Sequence, residues 1–489
     1  MTAGVSAATR TSPLNDLLKW CHGNAREASR RVWCPADFLG YGARSVSRGS
    51  ECQAARGSKA ATDTKIKSDV SDDAFLEDIS HRSFQFFWDA SDPNTVITRE
   101  HLYWDGSPYP LEKRDVGSTG ATGFGITALC IAADRVWVPR EKARQRALNT
   151  VRYYAERAPN EHGWFYHWLN VINGQRTGAN FDSATLPLPK AFAGAGPKSE
   201  VSVSDSTRLI AGALTAAKCF PEEPQISRLA KKIYERVDYA WMRNGDPYTL
   251  SHGWLPETGF IKSRYDKYCQ LALMYLLGIG SPTHPLPPES WYAWERTPNS
   301  YGGYNYIGTS LLWTYQYPFA WADFRGRREK RAPHRDWWAN AVTATRAHRV
   351  FCIDLAKEFP GYSQDVWGIT SSMSKSGYRS WGGPPRRGSI DGSVVPSAAE
   401  GSLMLTPDIS LPALRAMKQG YGDKIWTRYG FADSFDPTTG WVCREVIGLD
   451  EGITLLSAEN LRSGKVWKWF MRNQEIVHAM EFAGLEKID

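Results

Sequence analysis

No apolar run in this chain approaches 18 residues, so no segment reads as a membrane-spanning helix. No CxxC pair occurs, and no other metal-ligand spacing. A zinc-ribbon or redox-motif reading is thereby excluded. GxxxxGK[ST] is missing, which removes a P-loop. The Gly-rich stretch GSTGATGFG (117–125) lacks the GxGxxG spacing and has no strand before it. HExxH and GxSxG are absent too. His162 and His167 stand five apart, not the four that would put both on one helix face. Strand alternation is scarce and no β-α-β rhythm appears, against a Rossmann or TIM-type fold.

Charge excludes a further class. The net charge of +7 is unevenly spread. Residues 1–70 hold 11 Lys+Arg against 6 Asp+Glu; the remaining 419 hold 48 against 46. A body this close to neutral gives no footprint for nucleic acid. The eight cysteines are scattered at 21, 34, 52, 130, 219, 269, 352 and 443. Cys130, Cys219, Cys269 and Cys352 fall in apolar runs and read as buried thiols. Residues 1–72 show neither sustained periodicity nor a signal-peptide pattern, and are expected to be a disordered or misassigned leader.

What the chain does have is aromatic residues, at 13%, with 21 Trp. Most must pack a core, and some are expected to line a groove. Apolar residues recur at helical spacing over 74–90, 123–136, 140–158, 205–220, 223–241, 268–278, 335–359, 411–420, 452–463 and 465–485. Weaker signals lie at 305–323 and 397–404. About a dozen helices, often paired by short turns, predict an all-α domain over 73–489. Long loops rich in Gly, Pro and aromatics separate the pairs at 159–200, 243–263, 284–303 and 372–396. Helix pairs with such loops at one end suggest a helical toroid.

Several acids stand where they could do chemistry. Glu257, in WLPETGF, lies between Pro256 and Gly259, in a segment that excludes helix interior. Its loop sits beside an apolar run (271–277) that stops at Gly278-Ile279-Gly280-Ser281-Pro282. A solvated surface acid is the plainer reading of it. Asp205 heads an apolar, Ala-rich helix, and Ser202 with Asp205 forms an S-x-x-D capping pattern. Local chemistry alone favours the cap. Asp391 sits in a D-G turn; Glu400, Asp433 and Asp436 read as structural or turn acids. Glu459-Asn460 reads as bracing a neighbouring loop.

Ordered blocks then carry a resemblance. They are VGSTGATGFGITAL (116–129), HGWFYHWLN (162–170), SVSDSTRLIAGAL (202–214), GWLPETGF (253–260), YCQLALMYLLGIGSPTHPL (268–286), WADFRG (321–326), WGITSS (367–372), DGSVVPSAAEGSLMLTPD (391–408), YGFADSFDP (429–437) and IGLDEGITLLSAENLRSGKVWKWFM (447–471). Over about 75–485 the chain resembles the glycoamylase-like family of glycoside hydrolases, whose members include bacterial endo-β-1,2-glucanases. The resemblance implies an (α/α)6 toroid, or six-hairpin barrel, with functional loops on one face. It implies hydrolysis of a glucan or related glycan, with no metal or organic cofactor, outside the cytoplasm. Asp205 and Glu257 match its acid positions and are the expected two-carboxylate pair. Trp164, His167, Trp254, Tyr268, Gln270, Trp321, Asp323, Arg325 and Asp391 fall in blocks that resemble cleft-lining segments.

Two positions depart from that pattern. Similar proteins commonly carry an acid where this chain has Gln270, and glutamine delivers no proton. Asn170 stands where aspartate is common. A transglycosylase on the same scaffold and a non-catalytic glycan-binding protein are the alternatives. The expected partner is an oligo- or polysaccharide, bound by a monomer, with no nucleic acid and no membrane span.

Overall fold

Helices dominate the computed structural model, which describes residues 71–107, 115–178 and 199–488. The expected leader lies outside those residues, save for its last two positions. In chain order the helices are α1 (Asp72–Ala90), α2 (Thr119–Asp134), α3 (Arg140–Glu156), α4 (Val203–Cys219), α5 (Pro224–Glu235), α6 (Tyr239–Met242) and α7 (Leu271–Ile279). There follow α8 (Tyr317–Trp321), α9 (Trp337–Asp354), α10 (Pro396–Glu400), α11 (Pro407–Ile425), α12 (Gly448–Arg462), α13 (Lys465–Phe470) and α14 (Gln474–Phe482). The all-α class expected from the periodicity is what forms.

Burial sorts these helices into two kinds. α7 reads LALMYLLGI and is buried at every position. With no polar face it must pack on all sides. α2, α4, α8, α10 and α12 are likewise buried nearly all round. By contrast α1, α3, α5, α9, α11 and α14 bury one side and expose the other. The central helices alternate along the chain with the flanking ones. Late in the chain α12 returns to pack against α1 and α2. Arg462 of α12 pairs with Asp73 at 2.8 Å and with Glu77, both on α1, and Glu459 takes Arg135 at 2.9 Å.

Glycines set the closest approach. A Cβ on Gly212 of α4 would lie 2.2 Å from the Gly123 carbonyl oxygen of α2. These helices therefore cross backbone to backbone, which no larger residue allows.

Where the periodicity overran, polar residues explain the break. The helix expected over 223–241 splits into α5 and α6, because Asp238 caps α6 by accepting from the Trp241 N–H at 2.8 Å. The stretch 465–485 splits at Asn473, whose buried amide donates to the Phe470 and Leu214 carbonyls. The signal at 305–323 becomes a strand (Tyr304–Ile307), a 3-10 turn and the single turn of α8. Conversely α11 runs well beyond 411–420 and holds Pro412 inside it.

Strands are short and serve the helix starts. Val116–Ser118 pairs with Trp168–Asn170 and leads into α2. Val201–Ser202 pairs with Gly253–Leu255, itself paired with Gly259–Phe260, and leads into α4. Glu445–Ile447 pairs with His101–Tyr103 and leads into α12. Three central helices thus have their N-termini pinned at one end of the molecule.

Most of the tryptophan surplus is core. Trp164, Trp291, Trp294, Trp321, Trp367 and Trp381 are among the largest fully buried side chains. The four cysteines expected as buried thiols are buried, and so is Cys443.

Candidate active site

At that pinned end, α4 opens with Ser202 as its N-cap. The Ser202 hydroxyl accepts from the Asp205 N–H at 3.2 Å and donates to the Asp205 carboxylate at 2.5 Å. The expected cap is therefore real, yet it is only part of what holds Asp205. Arg208, one turn on, reaches back to Oδ1 at 2.9 Å, and His167 Nε2 stands 3.5 Å from Oδ2. Gly120 of α2 faces the same carboxylate; a Cβ there would come within 2.3 Å of Oδ1. Asp205 itself is only 3% exposed. Burial opposes its charge, but His167 and Arg208 outweigh burial and hold its pKa below the usual carboxylate range. Burial likewise opposes the His167 charge. Asp205 and Glu200 overcome it and push the imidazole up to about 9. Asp205 is a fixed negative charge, not a proton donor.

Arg208 links this node to its neighbours. Its second nitrogen donates to the side-chain carbonyl of Gln270, the N-cap of α7, and its guanidinium lies 4.9 Å over the Tyr317 ring of α8. Asp450 also acts on Tyr317. Asp450 and Glu451 fill the first turn of α12. With Glu400 of α10 and Asp433, they line a small cavity floored by Phe431, Val446 and Ile447.

All four basin acids are buried. Burial, the largest cause in each, pushes Glu400 up to about 8 and raises Asp433, Asp450 and Glu451 well above their ordinary values. After burial, the nearby Asp450 is the next cause that raises Asp433.

A tyrosine marks the open face. Tyr378, carried on a turn closed by the Ser372–Arg379 bridge, is 45% exposed although Asp450, Glu100 and Asp433 all act on it.

The residues expected from sequence separate under this geometry. His167 and Gln270 are brought to Asp205. Glu257 is not among the groups that hold Asp205. It sits on the hairpin between Gly253–Leu255 and Gly259–Phe260, half exposed, and takes Arg176 bidentately at 2.6 and 2.9 Å. Trp254 is half-buried on that hairpin beside Trp241, 5.7 Å between rings.

Trp164 and Trp321 correct the reading that they line a cleft. Both are fully buried, their indole N–H groups donating to the Asp238 carbonyl and the Thr127 hydroxyl. Tyr268 is corrected likewise; it is buried in a stack with Tyr315 and Trp337. Asp323 and Arg325 pair with each other beyond the C-terminal end of α8, with Arg325 over Trp467 of α13. α13 follows the C-terminus of α12 and meets that of α2 through Lys465 and Asp134. The pair therefore lies at the opposite end of the central helices from Asp205, and its assignment to the cleft fails. Asp391 closes its own turn, accepting from the Ser393 N–H at 3.0 Å. Asn170 does the same for Ile172 and Asn173.

The basin acids were legible only as anomalies. Asp450-Glu451 are two charges at the head of the otherwise apolar LDEGITLL, and turn chemistry masked Asp433.

Comparison with known proteins agrees with the resemblance seen in the sequence blocks. The Glycoamylase family model, described as "Putative glucoamylase", matches residues 262–474. An exo β-1,2-glucooligosaccharide sophorohydrolase (non-reducing end) from Parabacteroides distasonis is 25% identical over 442 residues, 83% of this chain. The chain spans 57% of that relative's length. The endo-β-1,2-glucanase of Chitinophaga pinensis, solved with sophorotriose and glucose, is 26% identical with a TM-score of 0.75, covering 86% of this chain and 99% of the other. A β-1,2-glucanase structure from Parabacteroides distasonis is 25% identical with a TM-score of 0.73, covering 85% and 60% respectively.

Proposed function

We propose that this chain is a glycoside hydrolase cleaving β-1,2-linked glucan within an (α/α)6 toroid. The alternation of central and flanking helices, with α12 returning to α1 and α2, supports the toroid. The observation that supports the activity is the contrast between two settings of buried acids: Asp205 is paired with Arg208 and His167, whereas Glu400, Asp433, Asp450 and Glu451 line one small cavity, where burial favours the protonated form. Two-carboxylate hydrolysis needs an ionised and a protonated carboxyl at once. A basin acid supplies the proton to the leaving oxygen. The Asp205 charge, fixed by Arg208 and His167, stabilises the positive charge that develops on the sugar ring. Glu257, paired with Arg176 on an exposed hairpin, is assigned to the cleft rim rather than to the proton path.

Gln270 favours a second reading. Its amide, held by Arg208, occupies a position where similar proteins commonly carry an acid, as a glycan-binding protein without turnover would allow. Product release from β-1,2-glucan separates the two. Under the hydrolase reading wild type releases oligosaccharides, and Asp205→Asn and Asp450→Asn each lower kcat by at least about a hundredfold. Binding without release, in wild type, establishes the second reading.

A further inference from the structure

α2 and α4 share more contact than any other two elements among the described residues, and each carries a cysteine at a matching place. The two helices run in the same direction. Near their starts, Gly120 faces the Asp205 carboxylate, and a Cβ on Gly123 would lie 2.4 Å from the Arg208 carbonyl. Further along, Gly212 meets the Gly123 carbonyl oxygen. At their ends, the chain leaving α2 comes back through Arg140. Its Nη2 donates at 2.6 Å to the carbonyl of Cys219, the last residue of α4.

Helical spacing then sets two sulfurs on one seam. Residues seven apart on a helix share a face, two turns along. Cys130 stands seven beyond Gly123, and Cys219 seven beyond Gly212. Parallel helices that touch backbone to backbone at Gly123 and Gly212 therefore bring Cys130 and Cys219 to facing positions. A disulfide needs two Cα atoms within about 7 Å and Cβ atoms turned toward each other, which such close packing offers at matched positions. Both side chains are buried, Cys130 wholly and Cys219 nearly so. Burial raises the Cys130 thiol well above its ordinary range, and Cys219 is the next cause. In the closed fold the pair is thus a poor nucleophile, and reaction requires the helix ends to open.

We infer that Cys130 and Cys219 are a disulfide-forming pair, which a low-molecular-weight disulfide such as oxidised glutathione converts into a covalent staple between α2 and α4. The thiolate of one cysteine attacks the oxidant's S–S bond and expels one glutathione thiol. The thiolate of the other attacks the protein sulfur of that mixed disulfide and expels the second. The two cysteines lose two protons and two electrons, and the oxidant is reduced to two thiols. Nothing in this step depends on the glycan reading.

The test uses the full chain, purified reduced and warmed to the temperature at which Cys130 and Cys219 begin to accept N-ethylmaleimide, so that reagents reach both. It is then treated with oxidised glutathione, capped with N-ethylmaleimide, digested and mapped by mass spectrometry. The expected product is one peptide pair joined through Cys130 and Cys219, lighter by two hydrogens than the two thiol peptides. Closing a loop between residues 89 positions apart should raise the unfolding temperature by several degrees, on the order of 3–5 °C, and dithiothreitol should reverse the rise. Cys130→Ala and Cys219→Ala, each a small buried replacement, should fold and show no such rise. Either cysteine joined to a different cysteine, held as a stable glutathione adduct, or still open to N-ethylmaleimide after the oxidant overturns the pair.

Discussion

Asp205 and Glu400 are both buried acids on central helices, and their surroundings drive them to opposite states. Asp205 meets an arginine, a histidine and a serine; Glu400 meets only the Thr454 hydroxyl, at 3.3 Å. Each makes a stability prediction of definite sign. The His167 pKa of about 9 lies above the 6.5 of an unfolded histidine. Its contribution is therefore complete below pH 6.5 and lost as pH rises through 9, roughly 3 kcal/mol in all. Urea unfolding between pH 6 and pH 10 should show that loss in wild type and much less of it in Asp205→Asn. The Glu400 pKa of about 8 lies above that of an unfolded glutamate, so the folded state holds the extra proton. Stability should fall as pH rises from about 4 through 8. Glu400→Gln removes that cost and should unfold at a higher temperature than wild type at pH 8, with the difference vanishing near pH 4. A site residue that merely packed would show neither dependence.

Among the elements, the central helices were legible and the cleft was not. A run such as LALMYLLGI announces burial on all sides, and the Ser202–Asp205 cap was written in its spacing. Trp164 and Trp321 misled because tryptophan suits a sugar cleft and a helix core equally. Their indole partners, a backbone carbonyl and a threonine, lie far along the chain. Burial predicts their effect: Trp164→Ala and Trp321→Ala should each cost about 3–5 kcal/mol in denaturant titration. Half-buried Trp254 should cost less. Gly212→Ala forces α2 and α4 apart at the point where Gly212 faces Gly123, and should destabilise by roughly 1–3 kcal/mol or more. The basin acids escaped notice for a related reason. Asp433 and Asp450 are 17 positions apart and look ordinary until the chain folds back on itself at the Phe435–Val442 bridge.

At the scale of the whole molecule, three strand pairs fix helix starts at one end, and that end holds the proposed site. Glu257 and Asp205, paired on the strength of sequence, turn out to have different basic partners and different exposure; only the tertiary arrangement distinguishes a rim acid from a cleft acid. Late in the chain α12 meets α1. Arg462→Ala, which strips the pairs to Asp73 and Glu77, should lower the unfolding temperature measurably.

The account stands or falls on what the cleft does to a glycan. The direct measurement is product analysis after incubating the full chain with β-1,2-, β-1,3-, β-1,4- and α-linked glucans. Release of oligosaccharides from the β-1,2-linked polymer alone, abolished by Asp205→Asn, is the predicted result. Release from none of the four, or from an α-linked glucan, would contradict it.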